Sequence, residues 1–93
     1  MAFKHVPGKN VGNIKIYALS TCPWCKKTKD FLNSSGIEYS FEDVDLLTGE
    51  EREKTVEIVK KWNPNLSFPV LVINDSRCIV GFKESEIKEA LKL

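Results

Sequence analysis

Residues 14–19 read IKIYAL, a run whose apolar and β-branched side chains fall on both alternating faces, with Lys15 the lone charge. A strand of this kind cannot leave one side in water, so its sheet needs cover above and below. VLVI at 70–73 makes the same demand again. In 93 residues one small domain has to meet both, because two cores would each be too small to hold.

The cover is legible as helices. From Pro23 to about Ser35 the pattern becomes helical, with Cys25, Thr28, Phe31 or Leu32, and Ser35 on one side and Lys26, Lys27, Lys29 and Asp30 facing water. Gly36 is a natural stop. IEYSFEDV (37–44) alternates well enough for a second strand. Thr48 ahead of Gly49, Glu50 and Glu51 predicts a capping box and a helix to about Trp62, with Val56, Val59 and Trp62 turned inward and Asn63-Pro64 ending it. The run 70–73 then turns through Asn74, Asp75 and Ser76 into RCIVGF as an antiparallel hairpin, and Ile87, Ala90 and Leu91 mark one face of a closing helix.

The order is strand, helix, strand, helix, strand, strand, helix, which predicts an α/β fold: a four-stranded mixed sheet with helices on both faces. Its first half is a right-handed crossover between parallel strands, and its second half adds an antiparallel edge. Residues 1–13, MAFKHVPGKNVGN, read as a turn-rich leader to a domain spanning 14–93. Pro7, Gly8 and Gly12 deny that leader the apolar core of a signal peptide, and no run approaches a membrane span, so the cytoplasm is the expected location. Fourteen basic against thirteen acidic residues leave a net charge of +1, so no global field steers nucleic acid or a membrane surface toward the chain. A monomer is expected.

Three cysteines are too few and too uneven for the disulfide framework of a secreted domain, and in a reducing compartment a close pair points to catalysis or metal. The pair lies in CPWC, residues 22–25, between the first strand and its helix. Proline at the first helical position loses no hydrogen bond, since that amide is free in any helix. Cys22 then falls at the cap, where unpaired amides and the positive end of the dipole favour an anion, with Lys26 and Lys27 close in sequence. Cys22 is assigned as the sulfur that attacks first and forms a mixed disulfide; Cys25, one turn deeper, displaces the substrate and closes a Cys22–Cys25 disulfide. A separate reductant restores the dithiol.

With CPWC after a strand, SFPV (67–70) before the third strand and VGF (80–82) before the last helix, the chain resembles the glutaredoxins of the thioredoxin-fold superfamily from Ile14 to Leu93. That resemblance implies a thiol–disulfide oxidoreductase with no bound cofactor. It implies a cis Phe68–Pro69 peptide beside the cysteines and a Val70 backbone free to pair with an extended substrate. It also places Pro23, Trp24, Phe68, Pro69, Val70, Gly81 and Phe82 around the substrate. Two positions depart from the glutathione-using members: Leu19 stands where many have lysine, and Phe82 follows Gly81 where they have a second glycine. GFK at 81–83 is similar to glutaredoxin-shaped redoxins that serve ribonucleotide reductase and draw electrons from a flavoprotein thioredoxin reductase. The reductant implied is such a reductase, glutathione or another small thiol; the partners are disulfide-containing proteins, ribonucleotide reductase among them, or small disulfides.

The alternative use of a Cys-x-x-Cys pair is an iron–sulfur or zinc carrier. A tetrahedral site needs four ligands, and Cys78 and His5 are the obvious further donors, neither in a second close pair. No metal site is therefore expected within one chain. Cys78 is read as a small apolar residue of an edge strand, and His5 as a surface or packing residue. Trp24, between the cysteines, is read as a substrate contact, and Trp62 as a core or helix-end residue.

Overall fold

The computed structural model describes residues 3–92. Five strands and three α-helices follow in the order β1 (Lys4–Val6), β2 (Ile14–Ala18), α1 (Pro23–Ser34), β3 (Tyr39–Asp43), α2 (Gly49–Trp62), β4 (Val70–Ile73), β5 (Arg77–Val80) and α3 (Glu84–Leu91), with a 3₁₀ turn at Val44–Leu46 after β3. They form one mixed sheet in the order β1-β3-β2-β4-β5. β2 and β3 run parallel with α1 between them in sequence, while β4 is antiparallel to β2 and to β5.

Alternation along the strands divides the core in two. Ile14, Ile16 and Ala18 of β2, with Leu71 and Ile73 of β4, point toward one face, where Cys25 and Leu32 of α1 and Ile87 and Leu91 of α3 close over them. Tyr17, Val70 and Val72 point to the other face, against Val59 of α2, with Val56 and Trp62 half-buried at its margin. The expected cover on both faces is present, and it fixes strand register, because a slip of one residue would exchange the two sets. Leu32 is fully buried at the centre of α1. Leu32→Ala is expected to cost about 3 kcal/mol of unfolding free energy through lost transfer energy and the cavity left behind, read as a lowered urea midpoint at unchanged slope.

Three expectations need correction. The sheet has five strands rather than four: Lys4–Val6, inside the supposed leader, pairs antiparallel with β3, Lys4 opposite Phe41 and Val6 opposite Tyr39. Three residues are too short to show a period; the pairing is secured from outside the strand. Lys9 donates to the Gly36 carbonyl at 2.8 Å and accepts from the Glu38 amide at 2.9 Å, and a Cβ at Gly8 would stand 2.7 Å from the Ile37 carbonyl carbon. Only glycine permits that approach. The capping box of α2 does not form. Thr48 occupies the N-cap but its hydroxyl makes no cap hydrogen bond, and Gly49 behind it takes φ 60°, so the first turn opens differently from a regular box. Ser35, expected on the inner face of α1, is its exposed C-cap. Among the described residues no helix is long and apolar enough to cross a membrane.

Candidate active site

β2 ends at Ala18, and α1 begins at Pro23 in its first turn. Cys22 is the N-cap, with extended φ −83° and ψ 116°, and its sulfur accepts the Cys25 amide at 3.2 Å. A free amide of the helix end is thus aimed at Cys22 Sγ, as the sequence reading required. The loop that presents this sulfur is closed by the Cys22 amide donating to the Leu19 carbonyl at 3.1 Å. It is also tethered sideways. Ser20 gives its amide to Asp45 Oδ1 at 2.8 Å and its hydroxyl to Asp45 Oδ2 at 2.6 Å. Those two bonds from Ser20 hold the Asp45 carboxyl below the usual carboxylate range.

The two sulfurs differ in setting. Cys22 is half-buried, whereas Cys25 is 1% exposed and packs within the core below α1. Burial pushes the Cys25 thiol up to about 12, helped by its hydrogen bond to Cys22 and the like charge there, and opposed by the Leu19 backbone and the Lys29 ammonium. Cys25 therefore stays protonated through neutral pH, and the accessible sulfur is Cys22.

Beside them, Trp24, Phe68, Gly81, Phe82 and Lys83 line an open cleft of about 280 Å³. Trp24 is 55% exposed, with Lys27 Nζ 4.4 Å from its ring centroid. Phe82 packs edge to face on Phe31 of α1 at 6.0 Å, so one wall of the cleft is fastened to the helix that carries the cysteines. Gly81 holds φ 86°, a conformation that favours glycine, and its amide donates to the Pro69 carbonyl at 2.8 Å. The Phe68–Pro69 peptide is cis. Asn63, buried at the end of α2, reaches over this loop and donates through Nδ2 to the Ser67 carbonyl and hydroxyl, both at 2.9 Å.

The structure brings Trp24, Phe68, Gly81 and Phe82 to one cleft next to the cysteine pair, with Pro23 exposed at the start of α1 and Pro69 buried beneath. Val70 does not belong with them. It lies wholly buried inside β4, opposite Tyr17 on one side and Val80 on the other, so both directions its backbone can face are occupied by strands. Phe68 borders the cleft, and its amide and carbonyl, like those of Phe82 across it, have no hydrogen-bond partner among the described residues. Lys83, Ser20 with Asp45, and Asn63 with Ser67 were not anticipated. Lys29 was expected in water but turns onto β3, donating to Asp43 Oδ1 at 3.0 Å.

The further donors of a four-ligand metal site stand apart from the pair. Cys78 Sγ lies 3.9 Å from the Trp62 carbonyl on the α2 side of the sheet, and His5 on the edge strand is 3.5 Å from Glu38. Among the described residues no group of three His, Cys, Asp or Glu side chains is placed to hold a metal ion.

Comparison with known proteins agrees with this geometry. Residues 14–78 match the family model described as Glutaredoxin. An uncharacterised glutaredoxin-like 8.6 kDa protein in the rubredoxin operon of Clostridium pasteurianum is 41% identical over 79 residues, 85% of this chain and 97% of that one. Among solved structures, the glutaredoxin from Methanosarcina mazei Go1 aligns with TM-score 0.91 and 48% identity, covering 98% of this chain and 88% of the other. Methanoredoxin from Methanosarcina acetivorans aligns with TM-score 0.89 and 46% identity, covering 92% and 90%.

Proposed function

Because the chain belongs to the glutaredoxin family, we propose that it is a thiol–disulfide oxidoreductase that reduces protein or small-molecule disulfides through both cysteines. The observation that carries this reading is the unequal pair: Cys22 accessible at a helix cap and Cys25 protonated and buried behind it. The Cys22 thiolate attacks a substrate sulfur, a mixed disulfide forms, and the first substrate thiol leaves. Cys25 then attacks Cys22 Sγ, expels the second substrate thiol and closes the Cys22–Cys25 disulfide, so that two electrons pass from the protein to the substrate. The cleft from Trp24 to Lys83 receives the chain that flanks the substrate sulfur. The unpaired Phe68 backbone there suits an extended peptide.

Electrons return from a flavoprotein reductase or from a small thiol other than glutathione. Leu19 is half-buried against the apolar core on the α2 side and offers no charge to a carboxylate, and Phe82 is spent on packing against Phe31. Losing one charge-assisted contact weakens a ligand by about tenfold or more. A disulfide-reduction assay comparing glutathione with its reductase, other small thiols, and thioredoxin reductase with NADPH is expected to favour the last two by at least about that factor. Saturable turnover with glutathione at an equal rate would overturn this choice of donor and leave the exchange chemistry standing.

A further inference from the structure

Asn63 stands at the end of α2, where its own amide donates to the Val59 carbonyl at 2.7 Å and ties it to a residue that is wholly buried. That bond serves the helix. The side chain serves the chain that follows, and it does so from inside the protein, since Asn63 is only 6% exposed. Its carbonyl accepts the Leu66 amide at 3.0 Å, and Oδ1 accepts the Asn65 amide at 3.3 Å. Leu66 is held there at φ 52°, a left-handed conformation uncommon outside glycine. Nδ2 spends both of its hydrogens on Ser67, one on the carbonyl and one on the hydroxyl, each at 2.9 Å.

The Ser67 carbonyl and the Phe68 amide are the two ends of one peptide unit, planar and trans, so fixing the carbonyl fixes the direction of the N–H. That N–H has no partner among the described residues. Phe68 lines the cleft together with Trp24, the residue between the two cysteines. A peptide unit with nothing to hold it turns about the backbone bonds on either side, and ordering it when a ligand arrives subtracts from binding. Holding it beforehand removes that cost. The gain is confined to ligands that bring a backbone carbonyl to meet the N–H, and a small disulfide without one takes no benefit.

We propose that Asn63 is a positioning residue that selects peptide disulfides over small ones: by pinning the Ser67 carbonyl it aims the Phe68 N–H at a backbone carbonyl of an extended substrate. This rests on the oxidoreductase reading above. Asn63 touches neither the substrate nor the sulfurs; it acts through the peptide unit that it holds.

The test mixes pre-reduced protein, in single turnover, with an excess of one of two disulfides: cystamine, which has no carbonyl, or a disulfide-linked pair of short extended peptides. Asn63→Asp keeps Oδ1 and loses both donors to Ser67. In that variant the peptide concentration giving half the limiting rate is expected to rise by about fivefold, while the limiting rate and the cystamine rate stay native. Ser67→Ala, at an exposed position, removes the hydroxyl anchor alone and should show the same split at about twofold. A native half-saturating peptide concentration in Asn63→Asp overturns the inference. So does an equal loss with both disulfides, since the loop then supports the site as a whole. If Asn63→Asp fails to fold, Ser67→Ala decides: native behaviour toward the peptide, or a loss shared with cystamine, overturns the inference. Native protein that reduces neither disulfide overturns the oxidoreductase reading itself, and is thereby distinguished from failure of the Asn63 role alone.

Discussion

Cys22→Ser is expected to reduce disulfide-reducing turnover by about a thousandfold or more while leaving the fold intact. Both halves of that expectation come from one position. In the proposed cycle the sulfur at the cap is the nucleophile, and a hydroxyl there cannot form the mixed disulfide on which every later step of that cycle depends. Yet serine is among the best N-cap residues, so the bond from the Cys25 amide, now 3.2 Å from Cys22 Sγ, has an oxygen to accept it. Cys22 is only half-buried, and its replacement leaves no sealed cavity. Circular dichroism and the urea midpoint should therefore stay close to those of the native protein. Turnover that survives in a well-folded variant would remove Cys22 from the first step.

Cys25→Ser is expected to stop two-thiol turnover as completely, by about a hundredfold or more, at the opposite end of the cycle. Capture proceeds, nothing expels the second half of the substrate, and one equivalent of mixed disulfide accumulates. Added small thiol then revives slow turnover by attacking the trapped bond from outside. The same substitution has a pH signature. The native fold pushes Cys25 from 9.0 to about 12, so between those values the unfolded chain has released a proton that the folded chain still holds. The folded state binds more protons there, and stability falls as pH rises through the window. The reduced native protein should lose unfolding free energy above about pH 9 more steeply than Cys25→Ser, which has no proton to lose. Equal slopes would mean that Cys25 is not the sealed thiol described above.

Much of this architecture is written locally. IKIYAL and VLVI need cover on both faces whatever lies elsewhere, and Cys22 with Pro23 marks a helix start within four residues, so β2, α1 and the cysteine geometry could be read directly. What escaped depends on partners distant in sequence. Ser20 looks like any loop serine until Asp45, 25 residues on, takes both its donors. Lys29 has the pattern of a solvent-facing residue, and only the arrival of Asp43 and Phe41 from β3 turns it inward. β1 is three residues that acquire a register from the approach of Gly8 to Ile37. The error at Val70 has a different origin. Composition around Pro69 does not say where the strand begins, and Val70 is already inside it, whereas Phe68, one residue before the proline, keeps a backbone without a hydrogen-bond partner among the described residues.

The central claim, that one sulfur receives the substrate and its neighbour releases it, is tested most directly by intact-mass measurement of Cys22→Ser and Cys25→Ser after brief exposure to an isotopically labelled disulfide, followed by peptide mapping. Cys25→Ser should gain one adduct per chain, located on Cys22, and Cys22→Ser should gain none at Cys25. An adduct that forms readily on Cys25 in Cys22→Ser, with Cys22 left unmodified in the other variant, would reverse the roles and contradict the account.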